Sequence, residues 1–246
     1  MSWLREAAAF LLPPRCLICG GLADGRNMLP SWIEEDPGLC SECISKLVPE
    51  TSDRRWFLCL SEPYEGDKHP DLKLYMPFAY DEHLSRIIHV IKFGKRSEPA
   101  AFAGSLLGEI MRSDHISSDS WDAIVPIPLS DKRLLERGFN QAAVIASSVS
   151  KRTSIPMLPD VLKRVRHTAR QAELRYGAER SDNVNNAFAI NSEWDIKGLR
   201  IILADDVATS GNTLHEAAEV LFENDAADVL CLALCGNRIV KNVEPY

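Results

Sequence analysis

The stretch "IILADDVATSGNTL", residues 201–214, constrains this chain more than any other. The apolar run 199–204 reads as a buried strand, and it stops at two adjacent carboxylates, Asp205 and Asp206. A loop of small residues follows: Val207, Ala208, Thr209, Ser210, Gly211, Asn212 and Thr213. From Leu214 to Phe222 the apolar spacing becomes helical. Two acids side by side at the end of a buried strand repel each other, so something must offset that cost.

In open α/β sheets, ligands sit at the carboxyl ends of the strands, which is where this strand delivers its acid pair. Backbone N–H groups of the loop and the helix start attract phosphate, and the helix dipole adds to the attraction. Thr209, Ser210 and Thr213 offer hydroxyl donors, and Gly211 permits close approach and a positive φ. The loop therefore suits an anion, while the acids suit hydroxyls or a cation. A phosphorylated ribose has both ends: a 5-phosphate for the loop, and 2- and 3-hydroxyls, with Mg²⁺, for the acids. A capped helix start with surface acids uses the same residue types one at a time, but not this combination. The Walker A pattern and a G-x-G-x-x-G after a strand are both absent.

The rest of the chain agrees with an α/β sheet. Strand-like runs are expected at 74–80, 121–129, 161–165, 199–204 and 228–236, and helical stripes at 81–94, 100–111, 140–150 and 214–222. Strands separated by helices imply a mostly parallel sheet covered on both faces. The organisation expected is an N-terminal helix and cysteine module at 1–60, a polar linker at 61–73, and the α/β domain at 74–246.

The first zone is set apart by its cysteines. Five of the seven lie within residues 1–60. "CLICG" and "LCSEC" are two C-x-x-C knuckles, so Cys16, Cys19, Cys40 and Cys43 form the ligand set of a closed, structural zinc site. Gly20 permits the tight turn of the first knuckle. Such a site orders a segment too small to bury a core of its own. Cys59, Cys231 and Cys235 read as buried small apolar residues, and His83, His89 and His115 as non-ligands.

A net charge of −7 argues against nucleic-acid binding by the molecule as a whole, though a local basic patch stays possible. No apolar run approaches the roughly 20 residues of a membrane span, so no integral membrane association is expected. "MSWLREAAAFLLPPRC" lacks a convincing cleavage site and reads as a short amphipathic helix ended by Pro13 and Pro14. The expected compartment is cytoplasmic.

"ILADDVATSGNTL" resembles the phosphoribosyl-pyrophosphate signature of type I phosphoribosyltransferases. Together with the knuckles, "IKFGKR" (91–96), "VPIPLSDKRLLERGFNQA" (125–142) and "RVRHTARQAELRYGAERSDNVNNAF" (164–188), it is similar to the ComF family, ComFC/GntX type. The resemblance implies a type I phosphoribosyltransferase fold, a mostly parallel sheet flanked by helices, with a small N-terminal zinc-ribbon module. It implies binding of phosphoribosyl pyrophosphate with Mg²⁺, and catalytic roles for Asp205 and Asp206 in transfer to an acceptor that the sequence does not identify. DNA-uptake or helicase-type proteins are the implied partners. A second reading is a non-catalytic protein using the same pocket to sense nucleotide or handle DNA. Where many members carry a further C-x-x-C pair, only Cys59 stands here.

The resemblance also assigns Val125 to Ser130 to pyrophosphate, with Lys132, Arg133 and Arg137 beside it and an X-Pro bond that could be cis. Six Lys or Arg residues fall within 163–180, a basic segment suited to a departing pyrophosphate. Arg164, Arg166, Thr168, Gln171, Arg180 and Asn183 occupy matched positions, as does Lys92. The same charges also suit a solvated face or a phosphate-reading DNA patch, although Tyr176 is the only aromatic there. Lys92 equally suits the dipole at a helix C-terminus, and Asn140 and Gln141 suit capping or bracing of the loop.

Overall fold

In the computed structural model, residues 13–34, 36–58, 72–165 and 187–236 are described. The N-terminal helix, Cys59, most of the 61–73 linker, and Arg166, Thr168, Gln171, Arg180 and Asn183 lie outside them.

The central sheet has five strands in the order β1 (Trp56–Leu58), β2 (Lys73–Tyr75), β9 (Asp228–Leu232), β7 (Arg200–Ala204) and β4 (Ala123–Pro126). β2, β9, β7 and β4 run parallel, and β1 closes one edge antiparallel. β7 lies between β9 and β4, and "IILA" is buried on both faces, as a parallel strand between helical layers must be. Its side chains alternate between two cores. Ile202 and Ala204 join Leu230 and Leu232 beneath α2 (Glu82–Phe93), α3 (Glu98–Ser113) and α5 (Gln141–Thr153). Ile201 and Leu203 join Val229 and Cys231 beneath α6 (Asn212–Glu223). Each fully buried aliphatic side chain contributes about 2 kcal/mol.

The helices follow from their sequences. α2 starts where the Asp81 carboxylate accepts the Leu84 N–H at 2.7 Å. It buries Leu84, Ile87, Ile88 and Ile91 and stops at Gly94, whose N–H reaches the Val90 carbonyl. α3 packs closely on α5: a Cβ at Gly104 would come within 2.6 Å of the Ile145 carbonyl oxygen. Between β4 and α5 lies α4 (Asp131–Arg137), which buries no residue and leaves Leu135 86% exposed.

Two expected strands are each broken in two. The 74–80 run divides into β2 and β3 (Phe78–Ala79), and the 228–236 run into β9 and β10 (Cys235–Gly236). β3, β10 and β8 (Val207–Ala208) form a second, parallel sheet beyond the carboxyl ends of the first. The chain thus bends at 76–77, 205–206 and 233–234, and the acid pair sits in one of these bends. Pro77 has no N–H to continue a ladder, and the Leu234 N–H turns to the Asp206 carbonyl at 3.2 Å.

A separate antiparallel pair, β5 (Leu162–Arg164) and β6 (Phe188–Ile190), brackets the basic segment. Every described peptide bond is trans, including those before Pro126 and Pro128.

The cysteine module is docked against this body. Ile33, Leu39 and three of its cysteines share a core with Phe102 of α3, and Trp32 stacks under the Arg152 guanidinium at 4.2 Å. Trp56–Leu58, within the stretch assigned to the module, pairs with β2 as a strand of the main sheet.

Candidate functional site

Asp205 and Asp206 stand at the carboxyl end of β7. The Asp205 N–H donates to the Leu232 carbonyl, and the Asp206 N–H folds back to Asp205 Oδ1 at 2.8 Å. Asp206 is 7% exposed, and its Oδ2 is buried without a hydrogen-bond partner. Burial, and then the neighbouring Asp206 charge, push the Asp205 carboxyl up to about 7. Such an arrangement stores an unmet acceptor and a repulsion, both of which ribose hydroxyls or a cation would satisfy.

β8 carries the chain from the acids into the loop. Thr209 and Ser210 are exposed, Gly211 adopts φ +78°, and Asn212 and Thr213 are exposed at the start of α6. No side chain caps this helix start. A helix start that no side chain caps is a common setting for anion capture.

The neighbouring strand end adds a wall. The Ile127 N–H donates to the Ala204 carbonyl at 2.8 Å, which lays the loop after β4 directly beside the acid pair. Asn140 Nδ2 donates to the Ile127 carbonyl at 2.9 Å while Asn140 Oδ1 caps α5, so this residue braces the loop.

Apart from the acid pair, the Sγ atoms of Cys16, Cys19, Cys40 and Cys43 all lie within 4.8 Å of one another, and Cys19 and Cys40 are 3.6 Å apart. Sulfurs at about 2.3 Å from a tetrahedral zinc stand about 3.8 Å apart, so the four fit that ion. Gly20 holds φ +75° in the first knuckle, and Cys40 caps α1 (Ser41–Ser45) through the Cys43 N–H. Three of the cysteines are buried and Cys19 is exposed, as in a closed structural site.

The phosphoribosyl transferase domain matches residues 107–245. The DNA utilization protein YhgH of Salmonella typhimurium is 34% identical over 206 residues, covering 82% of this chain and 86% of that protein. The chain belongs to the ComF family. Competence protein F of Haemophilus influenzae is 39% identical over 101 residues, covering 41% of this ComF-family chain and 44% of the relative. A purine phosphoribosyltransferase structure from Pyrococcus horikoshii aligns at 19% identity over 60% of this chain and 79% of that one, with a TM-score of 0.36.

The basic residues expected around the ComF-family site divide into three groups. Lys92 comes to the acid pair, and Arg137 acts on it through space. Lys92 Nζ lies 3.4 Å from Asp206 Oδ1, and both Lys92 and Arg137 favour the ionised form of Asp205. Arg137 is steered by Gln141 Oε1 at 3.0 Å and lies 5.8 Å from the Phe93 ring centroid. Lys132 and Arg133 point outward on α4, and Arg164 lies over the Phe188 ring at 5.1 Å in the β5–β6 pair. Arg166 and Arg180 lie outside the described residues.

Two supporting residues escaped the sequence reading. Gly236 lies where a Cβ would come within 2.1 Å of the Ala208 carbonyl oxygen and 2.7 Å of Met76 Sδ, so only glycine lets β10 approach β8 behind the loop. The signal was a glycine ending an apolar run. His83 contacts the cysteine module, and no local pattern marks it.

Proposed function

We propose that this chain binds phosphoribosyl pyrophosphate with Mg²⁺ at the carboxyl ends of β7 and β4 and transfers its phosphoribosyl group to an acceptor. The observation that carries the reading is the junction of an acid pair, in which Asp206 Oδ2 is buried without a hydrogen-bond partner, with a glycine-hinged helix start that no side chain caps. The 5-phosphate occupies the loop Thr209–Thr213. Asp205 and Asp206 accept hydrogen bonds from the 2- and 3-hydroxyls. The loop at 125–130 faces the pyrophosphate. As the bond from ribose C1 to the pyrophosphate oxygen breaks, positive charge grows on the ring, and the carboxylates stabilise it. Pyrophosphate departs with the bonding electrons, and the acceptor forms the new bond to C1 and releases its proton.

Asp205 and Asp206 suit the Mg²⁺ role, and the ion would supply charge neutralisation for pyrophosphate when bound. The cysteine module holds a structural zinc ion, and the division into a zinc module and a phosphoribosyltransferase-like domain is part of this reading.

Calorimetry with phosphoribosyl pyrophosphate and Mg²⁺ tests the pocket. Wild type should bind, and Asp205→Asn/Asp206→Asn should lose at least tenfold in affinity. Equal binding by both proteins, or by neither, overturns the assignment. The names of relatives linked to DNA utilization and competence favour a second reading, a non-catalytic nucleotide sensor or DNA-handling protein with DNA-uptake partners. Binding without pyrophosphate release across a panel of bases selects that reading. DNA binding that weakens steeply with salt identifies a phosphate-reading patch.

A further inference from the structure

Lys92 occupies the last turn of α2, where a cation ordinarily reaches into solvent and pairs with the helix dipole. Here its side chain is 24% exposed and reaches 3.4 Å from Asp206 Oδ1, on a carboxylate that is itself nearly buried. The other oxygen, Asp206 Oδ2, has no hydrogen-bond partner. Arg137, held by Gln141, supplies a second positive field at the pair. Lys92 thus touches the acid pair, Arg137 acts on it through space, and together they offset part of the repulsion within it.

This arrangement bears on how metal enters. Mg²⁺ binds carboxylate oxygen at about 2.1 Å. An ion on Asp206 Oδ1 would then stand no farther than about 5.5 Å from Lys92 Nζ. Like charges that close, beside a largely buried carboxylate, repel each other. An anionic ligand changes the balance, because its phosphate oxygens accept both the ammonium and the metal ion.

We infer that Lys92 is the resident counter-cation of the acid pair, standing where a free divalent ion would contact Asp206, so that the pocket takes its metal only together with a polyanionic ligand. Lys92 is then a positioning residue that makes the site selective for the metal–ligand complex over the bare ion. The inference rests on the phosphoribosyl reading for the identity of that ligand, but the metal exclusion can be measured without it.

The test uses the full zinc-loaded chain and manganese(II), counted by electron paramagnetic resonance. Wild type without ligand should bind manganese(II) no more tightly than Asp206→Asn. Lys92→Gln and Lys92→Met should gain a site at least tenfold tighter, lost again when combined with Asp206→Asn. Lys92→Arg, which keeps the charge, should behave as wild type. Manganese(II) should raise the melting temperature of Lys92→Gln and leave that of wild type unchanged. A folded Lys92→Gln with wild-type manganese(II) binding overturns the inference, as does tight manganese(II) binding by wild type that Asp206→Asn abolishes. Should Lys92→Met fail to fold, Lys92→Gln and Lys92→Arg carry the comparison. Gain of manganese(II) by Lys92→Gln with no binding of phosphoribosyl pyrophosphate to wild type supports the role of Lys92 and overturns the phosphoribosyl reading. Binding of phosphoribosyl pyrophosphate to wild type, with no gain by Lys92→Gln, does the reverse.

Discussion

His83 Nε2 lies 2.8 Å from the carbonyl oxygen of Cys43, and the ring nitrogen must be the donor. The bond ties the second knuckle to the first turn of α2. The last turn of the same helix carries Lys92 to Asp206, about 14 Å along the axis at about 1.5 Å per residue. One rigid helix therefore touches both the cysteine cluster and the acid pair.

Replacing His83 by alanine removes a donor from a carbonyl at the module's edge. The expected cost is about 1–2 kcal/mol in denaturant unfolding. Zinc should also leave faster in a chelator competition, because the knuckle loses its anchor. An unchanged release rate would show that the shared core with Phe102 alone holds the module.

The raised Asp205 carboxyl predicts a pH dependence. An acid whose folded pKa lies above its unfolded value favours the native state while protonated. The native protein holds the proton up to about pH 7, whereas the unfolded chain loses it near its ordinary value of 3.8. Stability of the ligand-free protein should fall as pH rises across that window, by at most about 1.4 kcal/mol per pH unit from this group. Asp205→Asn should flatten that part of the profile in urea titrations at several pH values. A slope left unchanged by the substitution removes Asp205 as its source.

Arg55 Nη1 donates to both carboxylate oxygens of Asp114 at 2.8 Å, and the Tyr75 hydroxyl donates to Asp114 Oδ2 at 2.6 Å. The pair is nearly enclosed, with side-chain exposures of 12% and 9%, and it clamps the segment before β1 to the end of α3. Asp114→Ala leaves a guanidinium and a buried phenol without their acceptor and should cost about 3–5 kcal/mol. Thermal or urea unfolding measures it. A loss below about 1 kcal/mol would mean that water replaces the carboxylate.

Gly236→Ala drives a methyl group into the Ala208 carbonyl and Met76. A destabilisation of about 1–3 kcal/mol is expected, the usual range for overpacking. The displaced β8 should also disturb the loop it feeds, so affinity for phosphoribosyl pyrophosphate should fall more than it does in Asp114→Ala. Equal losses in the two variants would deny β10 any role in shaping the site.

Much of this molecule could be read from local pattern. The stripe Leu84, Ile87, Ile88, Ile91 announced α2 to within a residue at each end, and "RIILA" announced a strand buried on both faces. The expected helix 214–222 begins two residues earlier, at Asn212, because Gly211 turns into the left-handed region and starts it. α4 went unread, since a helix with no buried face leaves no apolar period. β6 went unread because three residues after a basic segment carry too little alternation.

The sequence by itself determined the parts whose chemistry is local. Four cysteines in two knuckles announce a four-sulfur cluster, and the run of a strand into two acids and a glycine announces a strand end, a sharp turn and a helix start. Tertiary structure alone decided which cations meet that site. Lys92 pairs with Asp206, Arg137 acts on Asp205 through space, Lys132 and Arg133 are exposed on α4, and Arg164 rests on Phe188, yet the resemblance had grouped all five around one site. The bends that split two expected strands and set Asp205 and Asp206 in a fold of the chain arise likewise from pairing between β8, β10 and β3, segments far apart in sequence. Electrostatic partnership depends on distance in space, and short-range periodicity carries no information about it.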